Sequence, residues 1–178
     1  MPEFIDDSTF GDYFASFKYT AWRLETRRGY GSDRQGVKYQ HFATTGELLD
    51  EPERPWCTNV RAQTSQGKRF ERVRIVDQPP TTEQLFLLAA AAINNAAGED
   101  IRTLWRWGAD RLQLPAEDFW LFDSERALVL HFDDADAYLG SELVVDPERI
   151  VRYCQVRDAA WHHAIRHADF TAQVASRV

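Results

Sequence analysis

Residues Asp118 to Val145, DFWLFDSERALVLHFDDADAYLGSELVV, leave the chain few ways to fold. Three apolar runs are separated by two short polar breaks, Asp123-Ser124-Glu125-Arg126 and Asp133-Asp134-Ala135-Asp136. Runs rich in Phe, Trp, Val and Leu, broken by Asp and Ser clusters, read as strands joined by hairpins. In the second run Leu128, Leu130 and Phe132 alternate with Val129, His131 and Asp133, the period of a pleated strand. One face of the predicted sheet is therefore oily, and the other places a histidine and a carboxylate two residues apart.

The same period recurs upstream. In residues 19–27, Trp22, Leu24 and Thr26 share one face while Arg23, Glu25 and Arg27 share the other. In residues 69–76, Phe70, Arg72, Arg74 and Val76 alternate with Glu71, Val73 and Ile75. Strands are thus predicted over 19–27, 69–76, 119–123, 127–132 and 138–145, with residues 101–105 as a further short one. Helical signals fill the gaps. Asp7-Ser8 caps an aromatic stripe of Phe10, Tyr13, Phe14 and Phe17, Asp33 caps a short helix bearing Val37, Tyr39 and Phe42, and residues 56–67 form three turns ending at Gly67. Residues 45–55 read as an acidic exposed connection. After Pro79-Pro80, Thr81 or Thr82 opens an alanine-rich helix, Thr82 suiting the N-cap; it is apolar nearly all round and ends at Gly98. Asp146-Pro147-Glu148 starts a final helix running to about Ala175. The expectation is an α+β fold in one globular domain over residues 1–178: a mostly antiparallel sheet of five or six strands, with the alanine-rich helix and a long C-terminal helix packed on its oily face.

Composition excludes several classes of function. With 44% hydrophobic and 13% aromatic residues the chain has ample material for a core and is not disordered. A net charge of −7 argues against nucleic acid or an anionic membrane as the main partner. The longest apolar run, Leu85 to Ile93, is about half of what a membrane span needs. The acidic start, MPEFIDDSTF, is unlike a signal peptide, and Cys57 and Cys154 read as reduced thiols, so the expected location is cytoplasmic.

Four constellations could carry chemistry. Arg23, Arg72 and Arg74, with Glu25 or Glu71, form either a cross-strand ion-pair ladder or an arginine-lined pocket for a phosphate or carboxylate, which a guanidinium fork grips bidentately. Arg157 falls in the apolar stripe of the last helix, as a structural salt bridge to Glu25 or Glu71 or as the far wall of that pocket. His131 and Asp133 share a strand face like a metal pair or an acid–base couple, yet a catalytic metal wants three protein ligands and Asp133 also suits a turn. His163 and His167 are spaced i, i+4 without the glutamate of a zincin motif. No phosphate loop, dinucleotide fingerprint or serine elbow is present, and no cofactor or metal is expected.

The motifs TAWRLETR, GYGSDR, GKRFERVRIVDQP, AGEDIR, DFWLFDS, LHFDD and CQVRDAAWHHA together resemble an uncharacterised actinobacterial family commonly encoded beside helix-turn-helix regulators. The resemblance covers nearly the whole chain and carries over no catalytic residue and no cofactor. It implies a place in a regulatory circuit. Two functions are expected of the chain: a regulatory or adaptor protein acting through a protein partner such as the neighbouring transcriptional regulator, or a small enzyme or ligand-binding domain for a phosphorylated or nucleotide-like compound, using Arg23, Arg72, Arg74 and Arg157 with Glu25 or Glu71 as acid or base.

Overall fold

A computed structural model describes residues 3–49 and 54–176. Part of the acidic connection expected over 45–55 lies outside the described residues. The chain forms β1 (Phe4–Ile5), α1 (Asp7–Ser16), β2 (Thr20–Glu25), α2 (Gly31–Arg34), α3 (Val37–Thr45), α4 (Pro55–Thr64), β3 (Arg69–Val76), α5 (Thr82–Ala97), β4 (Asp100–Trp105) and α6 (Arg106–Arg111). It continues with β5 (Asp118–Phe122), β6 (Arg126–Phe132), β7 (Tyr138–Val144), α7 (Pro147–His163), β8 (Ile165–Arg166) and α8 (His167–Ala175).

The strands build one sheet in the order β1-β7-β6-β5-β2-β3-β4-β8. It is larger than the five or six strands expected, and it is mixed. β2 pairs in parallel with β3, and β3 with β4, while the remaining neighbours are antiparallel. The two parallel pairings follow from the connections: α2 to α4 lie between β2 and β3, and α5 between β3 and β4, and only such long crossovers return a strand in the same direction. The hairpins read from the Asp-rich breaks do form. Asp123, left-handed at φ 52°, accepts the amides of Lys18, Tyr19 and Thr20 and so ties the β5–β6 turn to the start of β2.

Both faces of the sheet are covered, so it has no solvated side. On one, α7 supplies Ile150, Tyr153 and Ala160 against Trp22, Leu24, Val73, Phe119 and Val129. On the other, α1, α4 and α5 pack Phe14, Val60 and Ala97 against Phe70, Trp120, Phe122 and Leu128. Each of these large apolar side chains contributes about 1.5–3 kcal/mol through burial. The alanine-rich helix and the C-terminal helix thus lie on opposite faces rather than on one. The alternation read in each strand is the alternation between these two cores.

Helix ends obey local chemistry. Of the two threonines, Thr81 rather than Thr82 caps α5, in a capping box with Gln84, and Gly98 closes it at φ 115°. Asp6 rather than Asp7 or Ser8 caps α1, Gly36 rather than Asp33 precedes α3, and α4 ends at Thr64, short of Gly67. The C-terminal helix does not continue to 175. It stops at His163, and Ile165 and Arg166 pair with β4 as the edge strand β8. The chain thereby crosses to the far face, where α8 buries Phe170 with its ring 4.4 Å from that of Trp105. One straight helix cannot place Ala160 and Phe170 in cores on opposite faces of a sheet.

Candidate functional site

The central strands β2, β3 and β5 carry charge on the face covered by α1, α4 and α5. Glu25, Arg72, Arg74, Glu99 and Asp118 are all buried there. A charge in such a place needs a partner, and these side chains supply one another. Arg72 donates Nη1 to Glu25 Oε1 at 2.8 Å and Nε to Glu99 Oε1 at 2.9 Å. Arg74 donates Nε to Glu25 Oε2 at 2.6 Å and Nη1 to the Leu87 carbonyl at 2.6 Å. Asp118 accepts the Tyr30 hydroxyl at 2.6 Å and both the amide and hydroxyl of Thr26, while Glu99 accepts the Trp56 indole N–H at 2.9 Å.

Arg23 is held differently. Its Nη atoms lie 3.3 Å from Glu25 and 3.5 Å from Asp118, ion-pair distances, and its buried Nε has no acceptor among the described residues. Its guanidinium rests instead against the rings of Trp120 and Tyr30, at 5.5 and 5.8 Å. Arg54 likewise has a buried Nε without an acceptor among the described residues.

Arg23, Glu25, Arg72 and Arg74 form one side of a cleft of about 650 Å³. Phe10, Phe86, Phe132 and Tyr138 give it aromatic walls, and Asp33, Lys38 and Asn94 add polar ones. A second hollow of about 540 Å³ shares Arg23, Arg54 and Arg72 with it and extends past Phe14, Trp56 and Trp120. Electrostatics fix the protonation of this cluster. Burial alone would raise the pKa of Glu25, but Arg72, Arg74 and Arg23 outweigh it and hold the carboxyl far below its usual range. Glu25 therefore stays ionised and is a poor base. Asp33 is shifted the other way, upward, by partial burial and by the charge of Glu25.

The structure brings Arg23, Glu25, Arg72 and Arg74 together but leaves the other expected candidates elsewhere. Glu71 points to the opposite face, where it pairs with Arg69 and lines a separate hollow with Arg157. Arg157 bonds Asp158 and Ser124, not Glu25 or Glu71, so it is no wall of the cleft. Strand alternation decides both outcomes, since Glu71 is one residue out of phase with Arg72 and α7 covers the other side. His131 pairs with Glu142 at 3.1 Å, and Asp133 accepts the amides of Ala135 and Ala137 within its turn, so the two are not a couple. Among the described residues no group of three His, Cys, Asp or Glu side chains is placed to hold a metal ion. Cys57 and Cys154 are free and on opposite faces of the sheet. No described helix is long and apolar enough to cross a membrane.

Sequence reasoning missed Asp118, Glu99, Tyr30, Asp33, Arg54, Trp56 and Trp120. Asp118 and Trp120 carried a usable signal, since they share a strand face with Phe122. The rest sit on connections and helices whose place over the sheet is a tertiary matter.

Comparison with curated proteins and with solved structures finds no match to the chain. A family model does match, over residues 8–172, from α1 to α8. The chain belongs to the family described as a domain of unknown function, DUF6879.

Proposed function

We propose that the protein is a ligand-binding domain whose cleft takes a small molecule bearing an oxyanion, a phosphate or carboxylate, on an apolar or aromatic body. The observation that carries this reading is Arg23: a guanidinium in the wall of a cleft of about 650 Å³, flanked by two aromatic rings and two carboxylates, whose Nη groups make ion-pair contacts but no hydrogen bond among the described residues and keep access to the cleft. Charge-assisted hydrogen bonds from a guanidinium to an oxyanion are the strong kind, and these Nη groups are free to donate them. The aromatic walls suit a planar body, as in a nucleotide-like compound. Because Glu25 stays ionised, the cluster favours binding over proton transfer. The test is a thermal-shift screen of nucleotides, sugar phosphates and aromatic carboxylates against the protein and Arg23→Gln. A ligand at about a hundred times its dissociation constant adds about 2.7 kcal/mol of stability. A saturable shift lost in the variant supports the reading; shifts equal in both proteins sink it.

A regulatory or adaptor role in the cytoplasm, through a protein partner such as a helix-turn-helix regulator encoded nearby, is the second reading. What favours it is the outer edge of β7, where Tyr138 and Leu139 are exposed and β1, among the described residues, pairs only with Ser141 and Glu142. Unpaired strand edges are templates for another chain. Co-purification and mixing calorimetry with that regulator decide it, and absence of heat on mixing removes it.

A further inference from the structure

A different group of arginines lies at the carboxyl ends of the parallel strands. Arg27 and Arg28 follow β2, Arg106 follows β4, and all three line a pocket of about 380 Å³ that also touches Ile75 at the end of β3. Loops at the carboxyl ends of parallel strands are where α/β sheets present groups to ligands. We infer that this pocket is a second binding site, separate from the cleft, for the phosphate group of a small molecule.

The guanidiniums are already ordered. Arg27 is gripped by Asp136 and the Asp133 carbonyl. Arg28 donates Nε to Asp77 Oδ2 at 2.7 Å, and Arg106 donates Nη2 to the Thr26 carbonyl at 2.9 Å while its Nε also takes Asp77. In each arginine the anchoring contacts use Nε and Nη2, which leaves every Nη1 without an acceptor among the described residues. None of these Nη1 atoms is among the buried unpartnered atoms, so those of the half-buried Arg27 and Arg106 keep access to solvent. Arginines held by carboxylates on one edge and open on the other lose little side-chain entropy when they bind.

The carboxylates nearby are mostly committed. Asp77 is shared by Arg28, Arg106 and Gln84, and Asp136 by Arg27 and Arg34; both are held below the usual carboxylate range despite partial burial. Asp110 also lines the pocket, but it is exposed and its charge is screened by water. Ile75, Ala109, Leu114 and Pro115 give the pocket an apolar side against which the rest of the ligand rests.

The test is titration of the full chain with inorganic phosphate and pyrophosphate at constant ionic strength, followed by amide chemical shifts, with chloride and acetate as controls. Saturable shifts centred on Arg28, Gly29, Arg106 and Trp107 are expected from the phosphates and not from chloride. The exposed Arg28→Gln should weaken binding by about tenfold, and Asp110→Asn should tighten it. These opposite directions separate a site from general loss of structure. Acetate binding as tightly as phosphate would reassign the site to carboxylates and overturn the phosphate inference. Shifts centred instead on Arg23 and Arg72, a response linear in concentration, or affinities unchanged in both variants would overturn the site. Arg23→Gln should leave this binding intact, so its failure and that of the cleft reading are told apart.

Discussion

Arg23 and Arg72 stand directly opposite each other in the parallel pair β2–β3, and one carboxylate oxygen holds both: Glu25 Oε1 lies 3.3 Å from Arg23 Nη1 and 2.8 Å from Arg72 Nη1. Like charges facing across strands are destabilising, and here Glu25, itself opposite Arg74, cancels the repulsion from the next position but one. Glu25→Gln leaves three arginines short of their shared counter-charge. The expected loss is about 3–5 kcal/mol, the usual result of removing one partner from a buried ionic cluster, read from urea unfolding at neutral pH.

The same carboxyl sets a pH dependence. Its folded-state pKa lies far below the unfolded value of 4.5, so the stability it provides is present above pH 4.5 and is lost as the pH falls below it. The gap in urea midpoint between the wild type and Glu25→Gln should therefore narrow on acidification from pH 5 to 3. A gap that widens over that range contradicts the assignment.

Tyr30→Phe removes the hydroxyl that donates to Asp118 at 2.6 Å and leaves the Thr26 contacts in place. Loss of one hydrogen bond to a buried carboxylate should cost about 1.5–3 kcal/mol. Hydrogen exchange should rise first over residues 30–34, because this bond ties the start of α2 to β5.

Phe14 meets the rings of Phe10, Trp56, Trp120 and Phe122 at 4.9–5.5 Å. Phe14→Ala should cost about 3–5 kcal/mol through lost burial and the cavity left behind. Calorimetric melting measures it, and a cost under about 1 kcal/mol would mean that α1 is not seated on the sheet.

His131 is half-buried against Glu142, which is also held by Arg149 at 2.7 Å. His131→Ala should cost no more than about 1 kcal/mol and leave the response of the cleft to ligands unchanged. A lost ligand response would restore the histidine to the site.

Much of the strand chemistry was legible from alternation alone. Arg23 and Glu25, and likewise Arg72 and Arg74, could be put on common faces from residue order, because a period of two leaves no other choice. Their convergence was not legible, since it depends on β2 and β3 being neighbours although more than forty residues and three helices separate them. Arg157 and Glu71 show the limit from the other side: both looked suitable by type, and the layer in which each lies removed them. His131 and Asp133 were adjacent in pattern, yet a turn claimed the aspartate, as its sequence had allowed.

What the sequence determined by itself was local: strand periods, the hairpin turns at Asp123 and Asp133, the cap at the start of α7, and an apolar content sufficient for a core. Backbone geometry and capping act over a few residues, so a few residues suffice to read them. Only the tertiary structure decided that the sheet has eight strands with a parallel centre, that the C-terminal helix breaks at Ala164 to cross the sheet edge, and that three arginines share the carboxylate of Glu25 beside a cleft. Those outcomes follow from burying both faces of one sheet at once, a condition that no single segment of the chain contains.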